Sequence, residues 1–186
     1  MSSSSSSSPP SSSSSRHFGP YPLLESQVFY ESASKQTQAF VNLGPIVPGH
    51  VLVTPRRVVA RMAQLSHEEV TDLWLSVHHI GPIIEKKFGC SSLNLAIQDG
   101  VESGQSVPHV HVHILPRRAG DFKRNDDIYE LLDEIRLDKE LDASSEATSA
   151  VDPTRERVPR TAEDMANEAR ELMELFPDNQ PSRIQD

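Results

Sequence analysis

The 186-residue sequence predicts a mixed fold in which one long helix accompanies five short strands, and three features carry that prediction. Short runs rich in β-branched and aromatic residues are separated by Gly/Pro punctuation, a capping pattern opens a long amphipathic stretch, and one segment alternates histidine with valine or isoleucine. The first strand-like runs are Val28-Phe29-Tyr30, then Ala39-Phe40-Val41-Asn42-Leu43, then Val51-Leu52-Val53-Thr54, with the turn Gly44-Pro45-Ile46-Val47-Pro48-Gly49 between the last two. Their short connections predict an antiparallel meander. Ser66 followed three residues later by Glu69 has the form of a capping box, and Val70, Leu73, Trp74, Val77, Ile84 and Phe88 then recur on one helical face. Pro82 is expected to kink this helix and Gly89 to end it. Leu93, Leu95 and Ile97 alternate with Asn94, Ala96 and Gln98, which predicts a fourth strand with one buried face. A polar loop over 99–108 leads to the fifth and most regular strand, His109-Val110-His111-Val112-His113-Ile114-Leu115. Amphipathic helices are predicted over 126–137, through Ile128, Leu131, Leu132 and Ile135, and over 162–176, through Met165, Ala169, Leu172, Met173 and Phe176.

A chain of 20.7 kDa has room for one ordinary domain with tails. Serine fills twelve of the first fifteen positions, so residues 1–15 have no apolar surface to set against the entropy of ordering them and are excluded from the fold. The domain is expected over 16–137, followed by a flexible acidic linker over 138–160 and a C-terminal helix and tail over 161–186 that complete it. The net charge of -9 belongs mostly to the tail: residues 138–186 carry 13 acidic and 6 basic side chains, leaving -2 for the body. A nearly neutral body with a pI of about 5.3 lacks the diffuse positive field of sequence-independent DNA binding, so no stable nucleic-acid partner is expected. The lone cysteine, Cys90, cannot form an intrachain disulfide, which favours a reducing compartment. No window approaches the length of a membrane span, and the Ser-rich start lacks the basic and apolar segments of a signal peptide. The expected location is the cytoplasm, with the nucleus as a second compartment.

Three of the eight histidines fall within five residues, spaced by two, so a strand would project all three rings from one face while Val110 and Val112 pack into the core. Alternate residues lie about 6.6 Å apart on a strand, and His109 and His113 about 13 Å. Zinc needs its nitrogen ligands at about 2.0 to 2.1 Å. Adjacent members of the row can share a metal, but the outer pair cannot both reach one without a bent strand, and a fourth ligand is hard to find. A row of this length matches an extended anionic chain such as a polyphosphate, each imidazole meeting one phosphate. A neutral imidazole is a good nucleophile toward phosphorus near neutral pH, provided an acceptor fixes one ring N–H so that the other nitrogen presents its lone pair. The middle histidine, His111, is best placed to attack, with its neighbours holding non-bridging oxygens. Ser103-Gly104-Gln105-Ser106-Val107 supplies backbone N–H groups and short polar side chains beside the row.

The run 109–115 resembles the His-φ-His-φ-His-φ-φ signature of the histidine triad superfamily of nucleotide hydrolases and transferases. The resemblance extends to residues 42–53, to Gln98-Asp99-Gly100 and to Gly104-Gln105-Ser106-Val107, and it covers roughly 18–136 and the final helix. Pro116-Arg117-Arg118-Ala119-Gly120-Asp121-Phe122 and Arg124-Asn125-Asp126 are similar to the Fhit branch, the bis(5'-adenosyl)-triphosphatases; the Hint branch has Gly-Gly where this chain has Pro116-Arg117.

That resemblance implies an α+β fold, a five-stranded antiparallel sheet with the long helix packed on it, and a homodimer whose two sheets join into one ten-stranded layer. It implies His111 as the nucleophile, adenylylated on Nε2, with the His109 backbone carbonyl accepting its Nδ1–H. His113 carries over as a phosphate contact and His50 as a fourth histidine supporting the triad. Asn42 carries over to the ribose region and Gln98 to the phosphate chain, with Gly104, Gln105, Ser106 and Val107 around the scissile phosphate. Gln105 and Ser106 are placed to orient the leaving group. The implied reaction cleaves diadenosine triphosphate to AMP and ADP, with a divalent cation, Mg2+, travelling on the substrate phosphates and no metal held by the protein. The alternatives are a Hint-like adenosine phosphoramidase and a nucleotide-dependent signalling module with slow turnover.

Overall fold

The computed structural model describes residues 15–133 and 159–181, so the Ser-rich leader before Ser15, the end of the predicted 126–137 helix with Ile135, nearly all of the acidic linker and residues 182–186 lie outside the described residues. A small hairpin comes first, β1 (His17–Phe18) paired with β2 (Tyr21–Pro22). The main sheet is built from β3 (Val28–Glu31), β4 (Thr37–Val41), β5 (Val51–Pro55), β6 (Ser92–Ala96) and β7 (Val112–Arg117). Every pairing is antiparallel and the spatial order is β3-β4-β5-β7-β6, so the predicted meander of the first three strands is present and β7 inserts between β5 and β6. The hairpin was not predicted, because two-residue strands leave no periodic signal.

The long helix α1 (His67–Lys87) opens as predicted: Glu69 N–H donates to Ser66 Oγ at 3.2 Å, and Ser66 N–H donates to Glu69 Oε2 at 2.8 Å. Pro82 lies inside α1 without ending it, and the helix ends at Lys87, two residues before Gly89, which takes the left-handed φ of +62°. Its buried face is Leu73, Val77, Ile80 and Ile84; Trp74, predicted on that face, is 42 % exposed. Trp74 follows the buried Leu73 by one residue, about 100° around the helix, which puts it at the edge of the apolar stripe. Helix α2 (Asp127–Asp133) and helix α3 (Ala162–Met173) fall within their predicted spans, and α3 is capped by Thr161. No helix of the described residues is long and apolar enough to cross a membrane.

The alternation of the strands sorts side chains to two faces. Ala39, Val41, Val51, Val53, Val112 and Ile114 pack on α1 together with Met165, Ala169, Leu172 and Phe176 of the α3 region. Phe40 and Leu52 point the other way, joining Phe18, Val28 and Val107 beneath the hairpin. Strand β6 departs from its predicted pattern: Leu93 and Ile97 pack on the core, but Leu95 is 46 % exposed because β6 is an edge strand that is not covered on its outer side.

Gly49 sets the entry to β5 with φ +81°, and a Cβ there would lie 2.4 Å from the Phe88 ring. Gly49→Ala is expected to destabilise the fold by about 1–3 kcal/mol through overpacking and a left-handed alanine, read as a lower urea midpoint with an unchanged slope.

Candidate active site

The site lies on the sheet face opposite α1, beneath the N-terminal hairpin. Strand β7 begins at Val112, three residues later than the sequence predicts, so His109 and His111 precede the ladder. The reason is local. Pro55, which stands opposite Val110 in the continued register, has no N–H to give, and the Thr54 hydroxyl donates to the Val110 carbonyl at 2.7 Å instead. Val110 N–H turns to the Val59 carbonyl at 2.8 Å, and His109 N–H to the Val107 carbonyl at 2.7 Å. Val110 and Val112 are buried in the core, as expected from the alternation.

This break overturns the evenly spaced row in which each imidazole meets one phosphate. Both ring nitrogens of His109 are used internally. Its Nδ1 accepts the Gly19 N–H at 3.1 Å, so the proton sits on Nε2, which faces the Pro55 carbonyl at 2.9 Å and the Thr54 hydroxyl oxygen at 3.0 Å. His109 is fully buried and acts through its backbone: its carbonyl accepts the His111 Nδ1–H at 2.7 Å. His111 Nε2 therefore carries the lone pair, which is the condition that the sequence reading set for a nucleophile.

A second chain of hydrogen bonds fixes the other two histidines. Ile46 N–H can only donate, and it reaches His50 Nδ1 at 3.2 Å. The His50 proton is then on Nε2, which lies 2.9 Å from His113 Nδ1 and donates to it. His113 in turn carries its proton on Nε2, a buried atom with no hydrogen-bond partner among the described residues. The Asn42 amide nitrogen lies 3.3 Å from both ring nitrogens of His50, its orientation set by Gly44 N–H donating to Oδ1 at 3.2 Å. The His111 and His113 rings meet edge to face with centroids 4.9 Å apart, and Phe18 meets the His111 ring at 5.0 Å. Four neighbouring histidines thus present one lone pair, on His111, and one unpartnered donor, on His113.

Burial is the main influence on these rings. It pushes His109 down to about 4 and His113 well below the usual histidine range, and it lowers His111 against the smaller opposing effect of the His109 carbonyl. All three are neutral near pH 7. Since the unfolded chain binds more protons than the folded one below an ordinary value of about 6.5, their contribution to stability is fully present above that pH. It is lost as pH falls toward about 4, by on the order of 3 kcal/mol for His109 alone. Thermal melts are expected to show the midpoint dropping steeply over that window.

The remaining predicted residues surround the triad. Gln98 follows β6 and is buried. Gly104 closes the short turn Val101–Ser103, and Gly104, Gln105 and Ser106 are half-buried. The Gln105 amide donates to the Ala60 carbonyl at 2.9 Å, next to Val59, which holds Val110, so one short segment ties the polar loop to the triad run. Asp99 accepts the Met62 N–H at 2.9 Å and pairs with Arg61, and these partners hold its carboxyl below the usual range. Val107 sits with its side chain in the apolar cluster with Phe18 and Phe40. Its placement beside the triad is through the backbone carbonyl that receives His109 N–H.

A HIT domain family model matches residues 23–120. The chain belongs to the HIT family. A curated HIT relative, the bifunctional bis(5'-adenosyl)-triphosphatase/adenylylsulfatase FHIT of Arabidopsis thaliana, is 47 % identical over 159 residues, 86 % of this chain and 83 % of the relative. The bis(5'-nucleosyl)-tetraphosphatase (asymmetrical) of Schizosaccharomyces pombe is 43 % identical over 177 residues, covering 88 % and 96 %. Among solved structures, the diadenosine triphosphate hydrolase of Plasmodium falciparum in complex with cyclomarin A superposes with a TM-score of 0.66 at 27 % identity, covering 91 % of this chain and 88 % of that one. Within the HIT superfamily the chain falls in the Fhit branch, as the segment after the triad implies.

Several supports of this HIT site were missed from sequence. Gly19, Phe18, Thr54 and the Ile46 N–H each fix a histidine, and Arg160 donates Nε–H to the Asn42 carbonyl at 3.1 Å while its N–H holds the Leu43 carbonyl. Only Gly19-Pro20 and Thr54-Pro55 left a trace, as turn or strand-end punctuation.

Proposed function

We propose that this chain is a bis(5'-adenosyl)-triphosphatase that attacks the α-phosphorus of diadenosine triphosphate with His111. The observation that carries the mechanism is the proton arrangement of the four histidines, which leaves His111 Nε2 as the lone pair of the set not engaged by a hydrogen bond. The relatives described above support the substrate class. In the first step an Nε2–P bond forms and the P–O bond to ADP breaks, while Nδ1–H stays on the His109 carbonyl and stabilises the growing positive charge of the ring. ADP leaves without full protonation. Water then attacks the same phosphorus, the N–P bond breaks, AMP departs and the water proton passes to solvent.

His113 Nε2–H, a buried donor that otherwise stands to cost about 1–3 kcal/mol, is satisfied by a non-bridging phosphate oxygen. Asn42 meets the ribose, Gln98 the phosphate chain, and Gly104, Gln105 and Ser106 border the scissile group, with Val107 contributing backbone. Magnesium would travel with the substrate, where a divalent cation offsets the charge of the phosphates, and His113 presents a proton to them rather than a lone pair. No step is routed through it. Incubating the purified protein with diadenosine triphosphate and magnesium should release AMP and ADP; absence of both products, or faster cleavage of an adenosine phosphoramidate, would reject the assignment.

The same family membership supports a homodimer joined along β6, an edge strand that carries the exposed Leu95; Trp74 and Leu75 on α1 are exposed apolar side chains as well. Light scattering at micromolar concentration is expected to report about twice 20.7 kDa. A monomer with full turnover would separate activity from assembly.

A further inference from the structure

The N-terminal hairpin is anchored to the sheet by a buried polar network that the hydrolytic mechanism does not use. Arg16 is buried and donates through all three guanidinium nitrogens, to Glu31 Oε2 at 2.6 Å, Gln38 Oε1 at 3.0 Å and Glu25 Oε2 at 2.8 Å. Arg56 reaches the same Glu31 oxygen at 2.7 Å. The Gln38 amide also approaches the His17 carbonyl at 3.4 Å, and Leu23 N–H donates to the Arg16 carbonyl at 2.9 Å. The first arm of the hairpin is therefore fastened to β3 and β4 at its base, and the second arm is tied to the first through Leu23 and Glu25. At the tip, Gly19 adopts φ +57° and aims its N–H at His109 Nδ1, while Val107 crowds the tip so closely that a Cβ on Gly19 would lie 2.6 Å from Val107 Cγ1.

We propose that Arg16 is a positioning residue: by anchoring the hairpin on Glu31 and Gln38 it holds the Gly19 N–H against His109, and so locks His109 as the neutral Nε2–H tautomer behind the nucleophile. The step from His109 to turnover rests on the assignment of His111 above. An imidazolium needs an acceptor at both nitrogens, and at Nδ1 the hairpin offers a donor. The groups packed on His109 are the Gly19 N–H and Phe18 ring from the hairpin, the Thr54 hydroxyl and Pro55 carbonyl from β5 and the backbone of Arg57 just after it, with His111 as the titratable side chain facing it. A positive charge on His109 would face His111 directly and oppose the charge that His111 gains on attacking phosphorus. With the hairpin in place, His109 stays neutral down to about 4.

The test uses the full-length protein labelled with 15N-histidine. Long-range proton–nitrogen spectra report the tautomer of each ring, and the pH dependence of kcat/KM for diadenosine triphosphate reports the consequence. In Arg16→Gln the Nε2–H signature of His109 is expected to give way to exchange with the protonated ring. Displacing the hairpin lifts Phe18 from the ring and opens it to water, moving His109 up toward the ordinary value of about 6.5, at which it is about nine-tenths protonated at about pH 5.5, so kcat/KM there should fall by up to about tenfold and stay within about twofold at about pH 8. Arg16→Lys, which keeps the charge, should recover part of the loss. Gly19→Ala displaces the tip without touching the anchor and should reproduce both signatures, which keeps the proposal testable if Arg16→Gln does not fold. A folded Arg16→Gln and a folded Gly19→Ala that retain the wild-type tautomer and acid limb, losing thermal stability alone, would overturn it. The tautomer spectra need no turnover, so a wild-type protein lacking hydrolysis would remove the reading of His111 without bearing on the anchor.

Discussion

His111→Asn is expected to lower turnover of diadenosine triphosphate by several orders of magnitude while nucleotide binding survives within a few-fold. Asparagine keeps a polar side chain of similar reach and offers no nucleophilic nitrogen, so the loss falls on the transition state and not on the ground state. Removing the covalent nucleophile of a hydrolase costs on the order of 10^6 in kcat, and the surroundings retain whatever acceleration binding and charge stabilisation supply. Asn42 and the loop around Gly104 remain in place because the hydrogen bonds of Asn42 with His50 and Gly44, and of Gln105 with Ala60, do not run through the His111 side chain. His113→Asn should be milder, since it removes one N–H to phosphate and makes no bond to phosphorus. Single-turnover rates and equilibrium binding, measured on the same variants, separate the two effects. A near-normal rate in His111→Asn would contradict the mechanism even if the family assignment stood.

Glu31→Ala should be the most destabilising of the surface-remote changes. Glu31 is buried and accepts from both Arg16 and Arg56, and its loss strips Arg16 of its shortest ion pair in a site where the guanidinium cannot return to water. Breaking a buried pair costs about 3–5 kcal/mol, and because Glu25 and Gln38 still meet Arg16 the lower end applies, about 3 kcal/mol. In a chain of this size that is a fall of roughly 6–12 °C in Tm. The hairpin should loosen together with the melt, visible as faster amide exchange at Gly19. A Tm within about 2 °C of wild type would show that the network contributes little to stability.

The parts of this protein that were legible in sequence are those that repeat. Five strands and α1 were visible because Val, Ile, Phe and Leu recur at a period of two or 3.6, and the capping box at Ser66 marks its helix by side-chain chemistry alone. The triad was legible for the same reason, as an alternation of two residue types. Its geometry was not. The alternation says that His109, His111 and His113 share a face, but Pro55 opposite Val110 ends the ladder before the first two, and His109 turns inward to Gly19, Thr54 and Pro55. Contacts of that kind join residues far apart in sequence through backbone N–H and carbonyl groups, which every residue carries and no pattern reveals. Gly19 to His109 spans 90 positions and Arg160 to Asn42 spans 118. The exposed Leu95 and Trp74 mark another boundary: an alternating or helical pattern records burial somewhere, including burial against a second copy, and cannot say which.

The central claim, that His111 alone of the four histidines forms a bond to phosphorus, is tested most directly by trapping the intermediate. Protein is mixed with diadenosine triphosphate labelled on the α-phosphorus, quenched during turnover, and digested for peptide mapping. The label should appear on the peptide containing His111, attached at Nε2, and should be absent from His111→Asn. Label on His109, His113 or His50, or its persistence in His111→Asn, would contradict the account.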